Sequence, residues 1–190
     1  MTESIPFLEK AEVDQADEAL IVREAQRAPA RFRPLYLKWV TPIYRYLYYR
    51  LGNPQDAEDL TAQVFLKAYQ QLPRYGHRGP FSAWLYAIAR NTARDYFRKH
   101  RVEAPLEAGE PASESLDLLA QAIHTDELRR LDRLIRSLPE ADQELIRLRF
   151  VAELSYREMG VLLNHKEDAV RKSVSRLLAR LSRQMEAGHE

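Results

Sequence analysis

Residues 154–185 read LSYREMGVLLNHKEDAVRKSVSRLLARLSRQM, and this stretch decides the fold class. Ser155 and Glu158 have the spacing of a capping box, in which each side chain serves a backbone N–H that a helix start leaves without a partner. Asn164 tolerates the left-handed conformation of a sharp turn. From Lys166 to Met185, residues Ala169, Val170, Val174, Leu177, Leu178 and Leu181 fall on one side of a helix. The pattern predicts a short helix, a tight turn and a longer helix, locked together by Met159, Leu162, Val170 and Val174. The longer helix then presents Lys166, Arg171, Lys172, Arg176, Arg180 and Arg183, against Glu167 and Asp168. A helix fits the DNA major groove, and its cations can meet phosphates and base edges. On spacing alone the pattern also fits an ordinary charged helical hairpin.

Working backward, Leu128, Leu131, Leu134, Ile135 and Leu138 form an apolar stripe that Pro139 closes. Leu145, Ile146, Leu148 and Phe150 predict a further helix. From Val102 to Leu128 there is no Lys or Arg but seven acids, with Pro105, Gly109, Pro111 and a Ser113-Glu114-Ser115 run. That composition predicts a flexible acidic linker and a domain boundary.

The N-terminal half is helical by the same criterion. Leu35, Trp39, Ile43, Tyr46 and Leu47 recur at three- or four-residue steps, with Pro42 as a kink or restart, and Gly52-Asn53-Pro54 ends the segment. Ala57, Leu60, Val64, Phe65, Ala68 and Leu72 mark the next helix, whose first turn carries Asp56, Glu58 and Asp59 where the dipole favours acids. By itself that acidic turn is explained as solvated capping. Residues 82–100 follow, with Ser82 as the expected N-cap and Leu85, Ile88, Ala89 and Tyr96 inward. Here Phe81, Trp84, Tyr86, Tyr96 and Phe97 interleave with Arg78, Arg90, Arg94, Arg98, Lys99 and Arg101. Cations pair with a phosphate backbone and flat rings stack on opened bases, a combination suited to single-stranded or melted DNA. The competing reading places Trp84 and Tyr96 in the core. Residues 1–31 hold seven acids and four bases, with a short amphipathic helix expected over 16–26 and a break at Ala28-Pro29-Ala30.

Composition narrows the function. With 45% hydrophobic residues, 30% charged residues and 6 glycines, the chain can bury cores and favours helices over a sandwich or barrel. A net charge of +1 says nothing about partners, so local charge must. The absence of cysteine excludes a disulfide scaffold, a cysteine zinc site and a thiol nucleophile. Neither a signal peptide nor a long apolar span is evident, so a cytoplasmic protein without stable membrane insertion is expected. The five histidines have no metal-ligand spacing, and no phosphate-binding or hydrolase motif occurs. Neither an enzyme nor a cofactor is expected.

The motifs together resemble a known family. The run Asp56-Ala57-Glu58-Asp59-Leu60-Thr61-Ala62-Gln63-Val64-Phe65-Leu66-Lys67-Ala68-Tyr69 resembles the core-binding helix of sigma region 2. Trp84-Leu85-Tyr86-Ala87-Ile88-Ala89-Arg90-Asn91-Thr92-Ala93-Arg94-Asp95-Tyr96 is similar to the segment that melts and reads the −10 element. Ser137-Leu138-Pro139-Glu140, Leu148-Arg149-Phe150 and Leu154-Ser155-Tyr156-Arg157-Glu158 resemble region 4. Their order, the linker and the short length point to the extracytoplasmic-function (ECF) group of RNA polymerase sigma factors. The fold this implies is all-α: a region 2 helical bundle over 32–102 and a region 4 helix-turn-helix over 126–185, joined by the linker 103–125, after an N-terminal extension 1–31.

The resemblance implies jobs for residues. Asp56, Glu58, Asp59 and Gln63 would dock on the beta-prime clamp helices of core polymerase, with the beta flap as a further contact. Lys67, Tyr75, Tyr86 and Asn91 would surround a flipped −10 base, with the loop Gly76-His77-Arg78-Gly79-Pro80-Phe81 shaping the mouth. Arg94, Arg98, Lys99 and Arg101 would hold nearby phosphates. Lys166, Arg171, Lys172 and Arg176 would face the −35 element. The chain departs from the family pattern at Ala62-Gln63, at Lys166-Glu167-Asp168 and at Ser173; two acids near phosphates repel unless they face away. An anti-sigma factor is the implied inhibitor, and the basic faces of the two domains are expected to repel each other when no partner masks them. Rival readings are a protein-only decoy for an anti-sigma factor and a dimeric repressor that reads palindromic duplex.

Overall fold

The computed structural model describes residues 18–76, 79–103 and 126–187, with side chains described over 18–76, 79–100 and 128–187. Among the described residues there are helices and no strands. The first domain contains α1 (18–27), α2 (Arg33–Leu51), α3 (Pro54–Gln71) and α4 (Phe81–Glu103). The second contains α5 (Asp126–Arg136), α6 (Glu140–Ile146), a π-helical turn (Arg147–Val151), α7 (Tyr156–Leu163) and α8 (Glu167–Glu186). The stretch expected to be a flexible linker lies, but for its first residue, outside the described residues.

Local chemistry sets the corners of the first domain. Gly52 takes the left-handed conformation (φ 74°) and its N–H bonds the Tyr48 carbonyl, closing α2. The Asn53 side chain accepts from the N–H groups of Gln55 and Asp56 at 2.8 and 3.2 Å, opening α3 with Pro54 as its first residue. Pro42 neither stops nor restarts α2, which runs through it. The lost hydrogen bond is offset because Ile43, Tyr46 and Leu47 are all fully buried on either side of the next turn. The expected N-terminal helix is present over 18–27, but it belongs to the first domain. Val22 and Ala25 are buried, and the Gln26 side chain donates to the carbonyls of Leu72 and Tyr75 at 3.0 and 2.8 Å. A boundary at residue 31 therefore cuts through packed structure.

The capping box predicted for α7 is complete: Ser155 Oγ accepts from the Glu158 N–H, and Glu158 Oε2 accepts from the Ser155 N–H at 2.7 Å. Asn164 is left-handed (φ 56°, ψ 45°), and the chain turns so tightly that a Cβ on Gly160 would stand 2.8 Å from the His165 carbonyl oxygen. On α8 the buried stripe is Val170, Val174, Leu177 and Leu181. Ala169 and Leu178, expected beside them, are exposed, because the stripe advances by three or four residues and leaves its immediate neighbours outside. Phe150 is likewise half exposed: the π-helical turn buries Arg147 and Leu148 instead.

The two domains share one hydrophobic core. Leu148, Ala152, Leu154 and Met159 are continuous with the buried face of α2, α3 and α4. The expected repulsion between basic domains is absent at this contact because Glu144 of α6 stands among Arg50, Arg90 and Arg147. Ser82 does not cap α4, which begins one residue earlier at Phe81; its hydroxyl reaches instead to Glu158 of α7.

Candidate nucleic-acid interface

Asp56, Asp59, Gln63 and Lys67 recur at three- and four-residue steps, so they share one face of α3. That face and the outer face of α4 enclose a cleft of about 430 Å³, whose far wall carries Asp95, Arg98 and Lys99. The Tyr96 hydroxyl donates to Asp56 Oδ2 at 2.8 Å and closes one end. Burial, reinforced by the hydrogen bond to Asp56 and the Asp56 charge, pushes the Tyr96 phenol up to about 12. Lys67 is half-buried and donates to Thr92 Oγ1 at 3.0 Å, which anchors its ammonium at the base of the cleft. Glu58 is not part of this face. It opens to the opposite side of α3, onto an apolar groove of about 390 Å³ lined by Tyr36, Val40 and Tyr44. The four acidic and amide residues expected to dock as one patch are thus divided between two sides of the helix.

The −10 candidates separate in the same way. Asn91, Arg94, Arg98 and Lys99 are exposed on α4, with Arg98 bonded to Asp95 at 2.9 Å. Tyr75 is half-buried, donates to the Gly79 carbonyl at 2.7 Å and packs on Phe81 and Trp84 with ring centroids 5.9 and 4.9 Å away. Phe97 is exposed, whereas Phe81 is buried. Tyr86 offers no surface to a base. It is completely buried between Trp39 and Tyr46, edge-on to both rings, and its hydroxyl has no hydrogen-bond partner. The reason is the two α2 residues, seven positions and so about two turns apart, that close over it. Burial raises its pKa above the ordinary tyrosine value. His77, Arg78 and the side chain of Arg101 lie outside the described residues.

In the second domain Lys166 is the N-cap of α8, and Lys172 and Arg176 are exposed. Arg171 bonds Glu167 at 2.6 Å and lies over the Tyr156 ring, 5.6 Å from its centroid. The Glu167 charge is thereby neutralised within its own helix turn rather than facing a phosphate. Arg180 turns away from this surface and pairs with Asp142 of α6.

The most heavily bonded group was not among the candidates. Glu144 is 4% exposed and accepts from the Tyr46 hydroxyl at 2.7 Å and from Arg50 Nη1 at 2.9 Å. Arg147 approaches it at 3.2 Å and Arg90 at 3.5 Å. Desolvation opposes the Arg50 charge, but Tyr46, Glu144 and Glu140 more than offset it and leave its pKa raised. The sequence signal was Glu144 and Arg147 within one helical turn and Arg50 at the end of the α2 stripe; neither names the other as partner.

No helix among the described residues is long and apolar enough to cross a membrane, and no cluster of three metal-ligating side chains occurs among them. The sigma-70 region 2 family model matches residues 35–103, and the sigma-70 region 4 model matches residues 128–181. The ECF RNA polymerase sigma factor BldN of Streptomyces coelicolor is 33% identical over 185 residues, covering 91% of this chain and 67% of that protein. SigW of Bacillus subtilis, also an ECF sigma factor, is 29% identical over 154 residues, covering 75% and 82%. The fold is similar to that of CnrH in complex with the cytosolic domain of CnrY, with a TM-score of 0.65, 21% identity and coverage of 88% and 96%. It is also similar to that of RpoE in complex with the anti-sigma factor NepR from Bartonella quintana, with a TM-score of 0.59, 22% identity and coverage of 82% and 96%. The chain belongs to the sigma-70 family of RNA polymerase sigma factors, in its ECF group, whose members direct core polymerase to promoters and promote DNA melting there.

Proposed function

We propose that the two domains divide promoter recognition between named surfaces of this chain. Asp56, Asp59 and Gln63 on the cleft side of α3 dock on the beta-prime clamp helices, with Glu58 contributing from the opposite side. Asn91, Lys67 and Tyr75 receive an unstacked −10 base, with Tyr86 supporting the pocket from beneath rather than touching the base. Arg94, Arg98, Lys99 and Arg101 hold the adjoining phosphates. Lys166, Arg171, Lys172 and Arg176 set register on the −35 element, and region 4 contacts the beta flap. Polymerase supplies the catalysis. Flipping a base costs a few kcal/mol, offset by stacking and edge hydrogen bonds.

The observation that carries this reading is the exposure of basic helix faces in both domains, on α4 and on α8, beside a separate acid-bearing face on α3. An anti-sigma factor is the proposed inhibitor, by likeness to the RpoE fold solved in complex with the anti-sigma factor NepR, and the cytoplasm is the proposed location. The test is reconstitution with core polymerase on a promoter library, followed by sequencing of transcript 5′ ends. Transcripts starting at a fixed distance from a shared pair of elements are expected. A chain that fails to associate with core polymerase at low salt overturns the reading. A chain that captures an inhibitor protein but forms no promoter complex identifies a decoy.

A further inference from the structure

Two elements separated by the roughly 25 base pairs that their −10 and −35 positions imply lie about 85 Å apart at 3.4 Å per base pair. A 190-residue chain in one packed body has a radius of gyration of only about 16 Å. The 22 residues between Glu103 and Asp126 reach up to about 75 Å when extended. Occupying both elements at once therefore requires the two domains to separate, and their contact in this structure must be broken.

That contact is specific. Its centre is the buried Glu144 carboxylate, which faces Arg50 and Arg90 from the first domain, Arg147 from its own, and the Tyr46 hydroxyl. Glu140 adds a second acid, 3.3 Å from Arg50 Nη2. At the other end Glu158 divides its oxygens: Oε2 caps α7, and Oε1 accepts from Ser82 of α4. Between these points α7 lies over the segment that precedes α4, so closely that a Cβ on Gly79 would be 3.1 Å from Val161 Cγ1. The covered segment adjoins Tyr75, whose hydroxyl bonds the Gly79 carbonyl. Region 4 thus lies against the proposed mouth of the base pocket.

We infer that Glu144 and Glu158 pin a self-inhibited form of this sigma factor, in which region 4 covers the Gly79 segment of region 2 until the clasp opens. Glu144 occupies arginines that the first domain would otherwise present to phosphates. Inhibition needs no second protein in this state; the inhibitor is the chain's own region 4. The inference rests on the promoter-binding reading above, and the test separates the two.

The chain has no cysteine, so a pair can be introduced without background. In a disulfide the Cβ of one residue lies about 3 Å from the sulfur of the other, which the Gly79 and Val161 positions match. The Gly79→Cys/Val161→Cys protein is expected to oxidise completely as the free chain. Its oxidised form should make open promoter complexes with core polymerase at least tenfold more slowly than its reduced form, and reductant should restore the rate. Failure to form the disulfide, or a fully oxidised protein as fast as the reduced one, overturns the clasp. Wild-type chain that forms no promoter complex under any condition overturns the sigma reading itself, and the clasp with it. A second variant, Glu144→Lys, places a fourth cation among three arginines. With helix content retained, it is expected to have a larger radius of gyration in small-angle scattering and to form open complexes faster; an unchanged radius counts against the clasp. Should this variant unfold, the disulfide pair decides alone.

Discussion

Asn91 stands exposed on α4, one residue before the buried Thr92 that holds the Lys67 ammonium. Its amide offers both a donor and an acceptor to solvent, as edge-on reading of a base requires. Asn91→Ala is expected to leave polymerase association intact and to cost open-complex formation about 1–3 kcal/mol, the range for one lost base contact. Unchanged permanganate reactivity of promoter thymines would remove Asn91 from the pocket. Tyr86, five residues earlier in the same helix, behaves oppositely. Its buried hydroxyl has no partner, a state that costs about 1–3 kcal/mol of desolvation. Tyr86→Phe is therefore expected to raise stability by about 1 kcal/mol in urea unfolding and to leave promoter melting unchanged. A melting defect in that variant would mean that Tyr86 leaves the core to meet DNA.

At the scale of elements, the corner between α7 and α8 depends on Gly160. A methyl there meets the His165 carbonyl oxygen at 2.8 Å, and because that obstacle is backbone it cannot swing aside. Removing glycine from a helix is worth roughly 0.5–1 kcal/mol, and overpacking costs about 1–3. The second effect wins, so Gly160→Ala is expected to destabilise by about 1–2 kcal/mol and to weaken −35 binding without affecting the region 2 contacts; an equal or higher unfolding midpoint would contradict it. The α1 helix makes a similar case at the other end. It buries Val22, bonds Gln26 to the carbonyls of Leu72 and Tyr75, and sets Glu18 against Trp39 Nε1 at 2.8 Å. A chain that begins at residue 32 loses at least about 2 kcal/mol from the valine and these bonds together. It should also show faster hydrogen exchange around Tyr75; an unchanged midpoint would return α1 to the status of a dispensable extension. The capping box and the Asn164 turn were legible in the sequence because their chemistry spans three residues or fewer. The α1 packing was not, since one valine and one alanine make a faint stripe and the Gln26 acceptors lie 46 and 49 residues away.

The whole molecule is joined by groups that periodicity does not pair. Tyr46 and Glu144 are 98 residues apart, and Ser82 and Glu158 are 76 apart. The sequence pattern placed Tyr46 on a buried helix face and Ser82 at a helix start, but gave no register between domains. Their joint burial has a consequence for the stability of the entire chain against alkali. Burial raises the pKa of Tyr46 and Tyr86, and that of Tyr96 to about 12, against about 10 in an unfolded chain. Below pH 10 both folded and unfolded forms keep these protons, and the stabilising contribution is fully present. Above pH 10 the unfolded chain releases them while the folded chain holds them, so each further rise favours unfolding until the folded pKa is passed. The urea midpoint is accordingly expected to fall between pH 10 and 12. Over the same interval, tyrosinate absorbance of the native protein should lag behind that of the protein in urea. Tyr46 makes this a test of the domain contact as well, because its phenol faces the Glu144 carboxylate, which adds to the burial in resisting a second negative charge. If the domains part as the pH rises, Tyr46 ionises with them, and the absorbance step should precede loss of helix rather than coincide with it.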